Sequence, residues 1–169
     1  MMVLKVVGSA LEILASLGVS RMASHPYQLR VSTLEEWQRL LRHLAPLIEW
    51  RRLPLGKALQ EASRGLPHLQ GAMVELSREL EKPDTNFREA WDALLRRQAG
   101  VWEDDRAALT ALGQVLGASE ASFQRDHLIA ARADLERLMG EARVRLAKDG
   151  RLFPVMISAA GVMVVIMAL

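Results

Sequence analysis

The last 18 residues of the chain, 152–169, contain no charged side chain. A helix that crosses a lipid bilayer needs about 17–25 predominantly apolar residues, at a rise of about 1.5 Å each. The run therefore predicts a membrane-spanning helix over residues 151–169. Every preceding segment then has to be placed relative to that anchor.

A second apolar run, residues 3–22, is interrupted by three charged side chains. A carboxylate in the middle of a span costs about 2.5–3.5 kcal/mol, whereas each aliphatic neighbour contributes only about 0.3–0.6 kcal/mol. The polar residues nevertheless recur every three or four positions, which puts them on one face of a helix. We expect a membrane-spanning helix over residues 1–23 whose polar stripe faces protein, with a cleaved signal peptide or an amphipathic surface helix as alternatives. The stripe consists of Lys5, Ser9, Glu12 and Ser16.

Between these runs, apolar residues repeat at intervals of three and four, and no segment alternates as a strand does. The pattern predicts an all-α fold, with a bundle of about six helices over residues 24–150. Residues 24–31 contain Pro26 and predict a short linker. Two overlapping capping boxes, residues 32–35 and 33–36, predict that the first bundle helix begins there and ends near Arg52.

Turn and capping residues predict the bounds of the other helices. Pro54 suits the first turn of the second helix, and residues 82–84 predict the loop before the fourth, which residues 84–86 can cap. Acidic residues 103–105 mark the start of a fifth helix that ends near Leu116. A long last helix follows from about residue 120 to residue 148.

Basic residues lie on the inner side of both predicted spans. Arg21 and Arg30 follow the first, and Lys148 and Arg151 precede the second. Lys and Arg next to a span favour the cytoplasmic side of the membrane. We therefore expect an integral membrane protein whose residues 24–150 are cytoplasmic.

The charge balance and the scattered histidines indicate no particular chemistry. Residues 24–150 contain 19 basic and 19 acidic side chains, which gives no basic surface for a nucleic acid. The chain has no cysteine, and its histidines show no metal-ligand spacing. We expect no catalytic residue, metal or cofactor. The rival interpretation is a metal-dependent enzyme that uses the acidic turn at residues 103–105 together with His127.

Four tryptophans lie at helical positions, which is typical of core or interface residues. Trp50 and Trp102 are each placed at a helix end beside charged residues. Large aromatic side chains in such places are common in partner-binding surfaces. We therefore count these two tryptophans among the candidate partner-binding residues.

Residues 111–124, ALGQVLGASEASFQ, resemble the LG-x-x-LG-x-S-D-x-x-x-Q block of the stage III sporulation protein AB family. Gly113, Gly117, Ser119 and Gln124 match that block, and Glu120 stands where the family commonly has Asp. Residues 47–59 are similar to the family's EIxY…PLxxAL block, and residues 90–91 to its AW pair. The resemblance covers nearly the whole chain, including both apolar runs.

The resemblance implies a component of the sporulation channel complex in the outer forespore membrane, on the mother-cell side. The family's cytoplasmic domain is similar to the F-type platform domain of type II secretion and type IV pilus systems. A non-enzymatic platform that docks a secretion-type ATPase, stage III sporulation protein AA, is therefore the expected function, alongside other membrane proteins of the complex and self-association. A membrane-anchored helical adaptor unrelated to secretion is the alternative. The candidate partner-binding residues are Glu49, Trp50, Pro54, Trp91, Trp102, Gly113, Gly117, Ser119 and Gln124.

Overall fold

The computed structural model of the chain describes residues 2–116 and 128–148, with side chains from residue 24 onward except that of Glu49. Six helices and no strand are found in these residues, so the predicted all-α fold is confirmed. The first five are α1 (Met2–Glu49), α2 (Leu55–Ala62), α3 (Gln70–Glu79), α4 (Phe87–Arg97) and α5 (Glu103–Leu116). The sixth, α6, covers residues 128–148.

The predicted linker at residues 24–31 is wrong, because α1 continues through it as a single helix of 48 residues. A proline inside a helix removes one backbone hydrogen bond and costs about 3 kcal/mol. Starting a helix is itself unfavourable, whereas extending one adds a hydrogen bond for each residue. One long helix through Pro26 therefore loses a single hydrogen bond and avoids starting a second helix.

The predicted helix start at residues 32–36 is wrong for the same reason, since these residues lie inside α1. Glu36 does cap a helix, but not its own. Its Oε2 accepts hydrogen bonds from the backbone N–H groups of His68 (2.9 Å) and Leu69 (3.2 Å), directly before α3. The first N–H groups of a helix have no partner within it. A carboxylate of α1 thus supplies the acceptors at the start of α3.

The later helices agree closely with the sequence patterns. The predicted bounds of α5 are those observed, and the loop predicted at residues 82–84 lies within the observed connection between α3 and α4, residues 80–86. Asn86 caps α4, where its side chain accepts a hydrogen bond from the backbone N–H of Arg88 at 3.0 Å. Along the chain α2 packs on α3, α3 on α4, and α4 on α5.

The core is centred on two tryptophans that are completely buried. The rings of Trp37, from α1, and Trp91, from α4, meet edge to face with 5.5 Å between their centroids. Such an aromatic pair contributes about 0.5–1.5 kcal/mol beyond its buried area. The fully buried leucines of α1 continue the stripe that contains Trp37, as the spacing predicts: Leu34, Leu40, Leu41 and Leu44.

The chain divides into two compact units, Arg30–Glu141 and a second that comprises Met1–Leu29 with Ala142–Leu169. The unit Arg30–Glu141 contains all the candidate partner-binding residues whose side chains the structure describes. Within the described part of the chain, no helix combines the length and apolar character needed to cross a membrane. The first predicted span falls on the N-terminal part of α1, which is thus helical, and the second, residues 151–169, lies outside the described residues.

Candidate partner-binding site

The end of α1 exposes a tryptophan between charged neighbours. Trp50 follows the last residue of α1 and is 79% exposed, the highest value among the exposed large apolar side chains of the described residues. Arg51 and Arg52 come next, and both are exposed. We refer to residues 50–52 as the Trp50 corner.

Backbone hydrogen bonds fix the conformation of this corner. The N–H of Trp50 donates to the carbonyl of Pro46 at 3.0 Å, and that of Leu53 donates to the carbonyl of Leu47 at 3.4 Å. Arg52 has a φ of 48°, in the left-handed region that usually takes glycine at the end of a helix. Pro54 is the N-cap of α2, and its carbonyl accepts the N–H of Ala58. A hydrogen-bonded turn therefore presents Trp50, at a backbone cost of about 1–2 kcal/mol.

A second candidate, Trp102, lies in a buried ionic cluster. The Arg30 guanidinium donates two hydrogen bonds to Asp105, from Nε to Oδ2 (2.8 Å) and from Nη2 to Oδ1 (2.7 Å). Its central carbon lies 4.5 Å from the centroid of the Trp102 ring. Asp105 Oδ2 also accepts the backbone N–H of Trp102 at 3.0 Å. Trp102 is half-buried, so its indole helps to cover a charge pair inside the unit.

This cluster corrects two expectations about charged residues. Arg30 was expected to flank a membrane span, but it is 1% exposed and its charge is paired within the bundle. The rival interpretation used Asp105 in an acidic, metal-binding turn, but Asp105 is fully buried against Arg30. Because Asp105 is committed to Arg30, the turn at residues 103–105 is not favoured as a metal site. No group of side chains able to hold a metal ion is found among the described residues.

Trp91 and Gly113, also candidates, meet each other inside the bundle. The indole Nε1–H of Trp91 donates to the carbonyl of Leu109 at 2.8 Å. The ring lies directly over Gly113, where a Cβ atom would come within 2.5 Å of Trp91 Nε1. Both residues are buried. They therefore set how closely α4 packs on α5, and neither is placed to touch a partner.

The remaining candidates divide by position. Glu49 ends α1, while Gly117, Ser119 and Gln124 lie outside the described residues. The polar stripe of Lys5, Ser9, Glu12 and Ser16 falls within α1, but those side chains are not among the described ones. Among the predicted partner-binding residues whose side chains are described, only Trp50 and Pro54 are exposed, and both belong to the turn between α1 and α2.

Sequence reasoning missed the two arginines of the corner and the role of Glu36. The run WRR was a visible signal for the corner, because a large aromatic residue next to two arginines at a helix end is unlike a core position. Glu36 gave no such signal. Its acceptors serve His68 and Leu69, more than 30 residues away, and His68 also lies 3.3 Å from the Ser32 hydroxyl through its Nε2.

Comparison with known proteins identifies one family. The model of the family described as stage III sporulation protein AB matches residues 5–169, nearly the entire chain. Neither the curated proteins nor the solved structures include a match to the chain. With an all-helical bundle and a match that covers almost all of the sequence, the chain belongs to the stage III sporulation protein AB family, and its role is in sporulation.

Proposed function

We propose that this protein is a non-enzymatic platform of the sporulation machinery that docks a cytoplasmic secretion-type ATPase at a membrane. The observation that carries the docking role is the Trp50 corner, an exposed tryptophan on a hydrogen-bonded turn with two arginines. Tryptophan and arginine are the residues most enriched among interface hot spots. A fixed turn also reduces the conformational entropy that is lost on binding.

The exposed indole has no evident structural purpose within its own unit. Leaving a large aromatic ring in water forgoes about 1.5–3 kcal/mol of burial free energy. The left-handed backbone of Arg52 adds a further cost, which a glycine would remove. Strained residues that persist beside an exposed anchor are typical of functional sites. A partner that buries Trp50 recovers the forgone energy.

The identity of the partner is proposed from the family. Platform proteins of type II secretion and type IV pilus systems meet a cytoplasmic ATPase, and stage III sporulation protein AA is the corresponding candidate here. The membrane placement is proposed from the sequence: an uncharged run at residues 152–169 and a striped run at residues 3–22 would hold the bundle at the cytoplasmic face of the outer forespore membrane. Arg21, Lys148 and Arg151 still support this orientation, whereas Arg30 no longer contributes to it.

The docking role is tested with purified full-length protein and purified stage III sporulation protein AA. We expect Trp50→Ala to weaken binding by about 30-fold or more, the effect of losing a hot spot of about 2 kcal/mol. Ile129→Ala is the matched control, because Ile129 is also a large apolar residue that is 57% exposed, but it lies on α6. Unchanged binding by the Trp50 variant would remove the corner from the proposal, and no binding by the wild-type protein would remove the partner.

A separate test concerns the striped first run. If its polar face packs on protein in the membrane, Glu12→Leu should leave membrane insertion intact and reduce recovery of the assembled complex from sporulating cells. Carbonate extraction measures insertion, and co-purification measures assembly. Undiminished co-purification would mean that the stripe has no assembly role.

A further inference from the structure

A groove lies between α3 and α4, and residues 50–52 of the Trp50 corner do not line it. Its volume is about 740 Å³. Residues Ala72, Glu75, Leu76 and Glu79 line it from α3, and they are spaced three, one and three apart, so they form one continuous helix face. The α4 side repeats in the same way from Asn86 to Arg97. The lining residues thus cover about two turns of α3 (about 10 Å) and about three turns on the α4 side (about 16 Å).

The apolar residues that line the groove, here called its floor, are small or buried. Ala72, Ala90 and Ala93 contribute only methyl groups, and Leu76 and Leu94 are buried. Small side chains on facing helices allow another backbone to approach closely. A floor of this kind fits the apolar face of a third helix, which is a common mode of peptide recognition.

The rim of the groove is acidic. Glu75, Glu79, Asp84 and Glu89 line it against a single cation, Arg97, which gives a formal charge of four minus one, or −3. Arg97 lies 3.7 Å from Glu75, and Glu79 is paired with Lys82, but these pairs are on the surface and hold little energy. The carboxylates repel phosphate-bearing ligands such as lipid headgroups and nucleic acids. They are also too dispersed for a cation site, in agreement with the absence of any metal-binding group in the described residues.

We propose that this groove binds a basic amphipathic helix of a partner protein, about three turns long, with small apolar residues on one face and Lys or Arg along both edges. The floor receives the apolar face, and the four rim carboxylates pair with the basic edges. Charge complementarity across such a rim mainly accelerates association and selects the partner. The surface is independent of Trp50, so the protein has two separate docking places.

The test uses the full-length protein and a fluorescein-labelled synthetic peptide of 15 residues, with Leu and Ala at helical spacing and Lys at the flanking positions. We expect saturable binding of one peptide per chain. A peptide with Glu in place of each Lys should not bind. Neutralising two rim charges, Glu75→Gln with Glu89→Gln, should weaken binding about 2- to 30-fold, as expected for two exposed ion pairs.

Two matched controls distinguish binding in the groove from an effect of net charge and from an effect of a larger side chain elsewhere on the surface. Glu103→Gln with Asp104→Asn changes the net charge equally but at exposed positions on α5, and it should leave affinity unchanged. Ala93→Leu fills the floor without changing charge and should abolish binding, whereas Ala107→Leu, at an exposed position on α5, should not. Circular dichroism verifies that each variant is folded.

Three results would overturn the proposal. The first is an equal loss of affinity with the α5 charge variant, which would mean nonspecific attraction of a basic peptide. The second is undiminished binding by both the rim variant and Ala93→Leu. The third is a fall in the sedimentation mass of the unliganded protein on Ala93→Leu, which would make a second copy of the chain the occupant.

Discussion

Replacing Gly113 by alanine adds one methyl group directly against the indole of Trp91. The new Cβ would lie 2.5 Å from Nε1 and 2.8 Å from Cγ, and closer still to Cδ1. The optimal separation of two non-bonded carbon atoms is about 3.5–4.0 Å, so the ring or the helix must move by about 1 Å. The ring cannot move freely, since Trp37 and Phe87 contact it at centroid distances of 5.5 Å and 5.6 Å.

The cost of Gly113→Ala follows from what such a movement breaks. Overpacking of this kind costs about 1–3 kcal/mol. Pulling Nε1 away from the Leu109 carbonyl leaves a buried donor unpaired, at about 1–3 kcal/mol. The higher helix propensity of alanine returns about 1 kcal/mol. We therefore expect the free energy of unfolding to fall by about 3 kcal/mol, measured by urea denaturation of the full-length protein with circular dichroism.

The matched control is Gly140→Ala in α6, a helical glycine where nothing lies within 4 Å of the added Cβ. That change should raise the free energy of unfolding by up to about 1 kcal/mol. In a Trp91→Leu background the smaller side chain should relieve most of the cost of Gly113→Ala. If Gly113→Ala is as stable as the wild-type protein, or if its cost is the same in both backgrounds, the reasoning about close packing of α4 on α5 is refuted.

Three further predictions concern polar contacts, and all are measured as shifts in urea midpoints of the full-length protein. Arg30→Met leaves the Asp105 carboxylate buried without a counter-ion and should cost about 3–5 kcal/mol, most of which returns when Asp105→Leu is added; no recovery in the double variant would mean that the pair itself stabilises the fold. Glu36→Ala should cost about 1–3 kcal/mol, because two N–H groups before α3 lose the oxygen that accepts their hydrogen bonds. Glu36→Gln keeps one carbonyl oxygen as an acceptor and should cost less; equal costs for the two variants would show that hydrogen bonding is not the cause. Asn86→Ala should cost about 1 kcal/mol through the lost cap of α4, and Asn86→Asp should be close to neutral; a neutral alanine variant would contradict the capping role.

Features that depend on neighbouring residues could be predicted from the sequence. The bounds of α5 and the Asn86 cap follow from side chains within one or two turns of the helix end. Local rules failed where a distant residue decides the outcome. A capping box was the natural interpretation of Glu36, because the glutamate and the hydroxyl residues before it are adjacent in sequence. Its actual acceptors serve a turn 32 and 33 residues away.

Asp105 shows the same limit at the candidate site. Three acids at a helix start agree with the helix dipole, so nothing in the run distinguishes the third from its exposed neighbours. Asp105 is a buried ion-pair partner only because the fold places Arg30, which is 75 residues earlier in the chain, next to it. The Trp50 corner was partly predictable, since WRR follows a helix and precedes a proline, but the left-handed backbone at Arg52 carries no sequence signal.

The separation of 75 residues between Arg30 and Asp105 has a consequence for synthesis on the ribosome. Translation proceeds at about 5–20 residues per second, so the partner of Arg30 is made about 4–15 seconds later. During that interval the apolar stripe of α1, including Trp37, has been translated while its partners in α4 and α5 have not. The apolar stripe of α1 is therefore available to other apolar surfaces until the residues that bury it leave the exit tunnel.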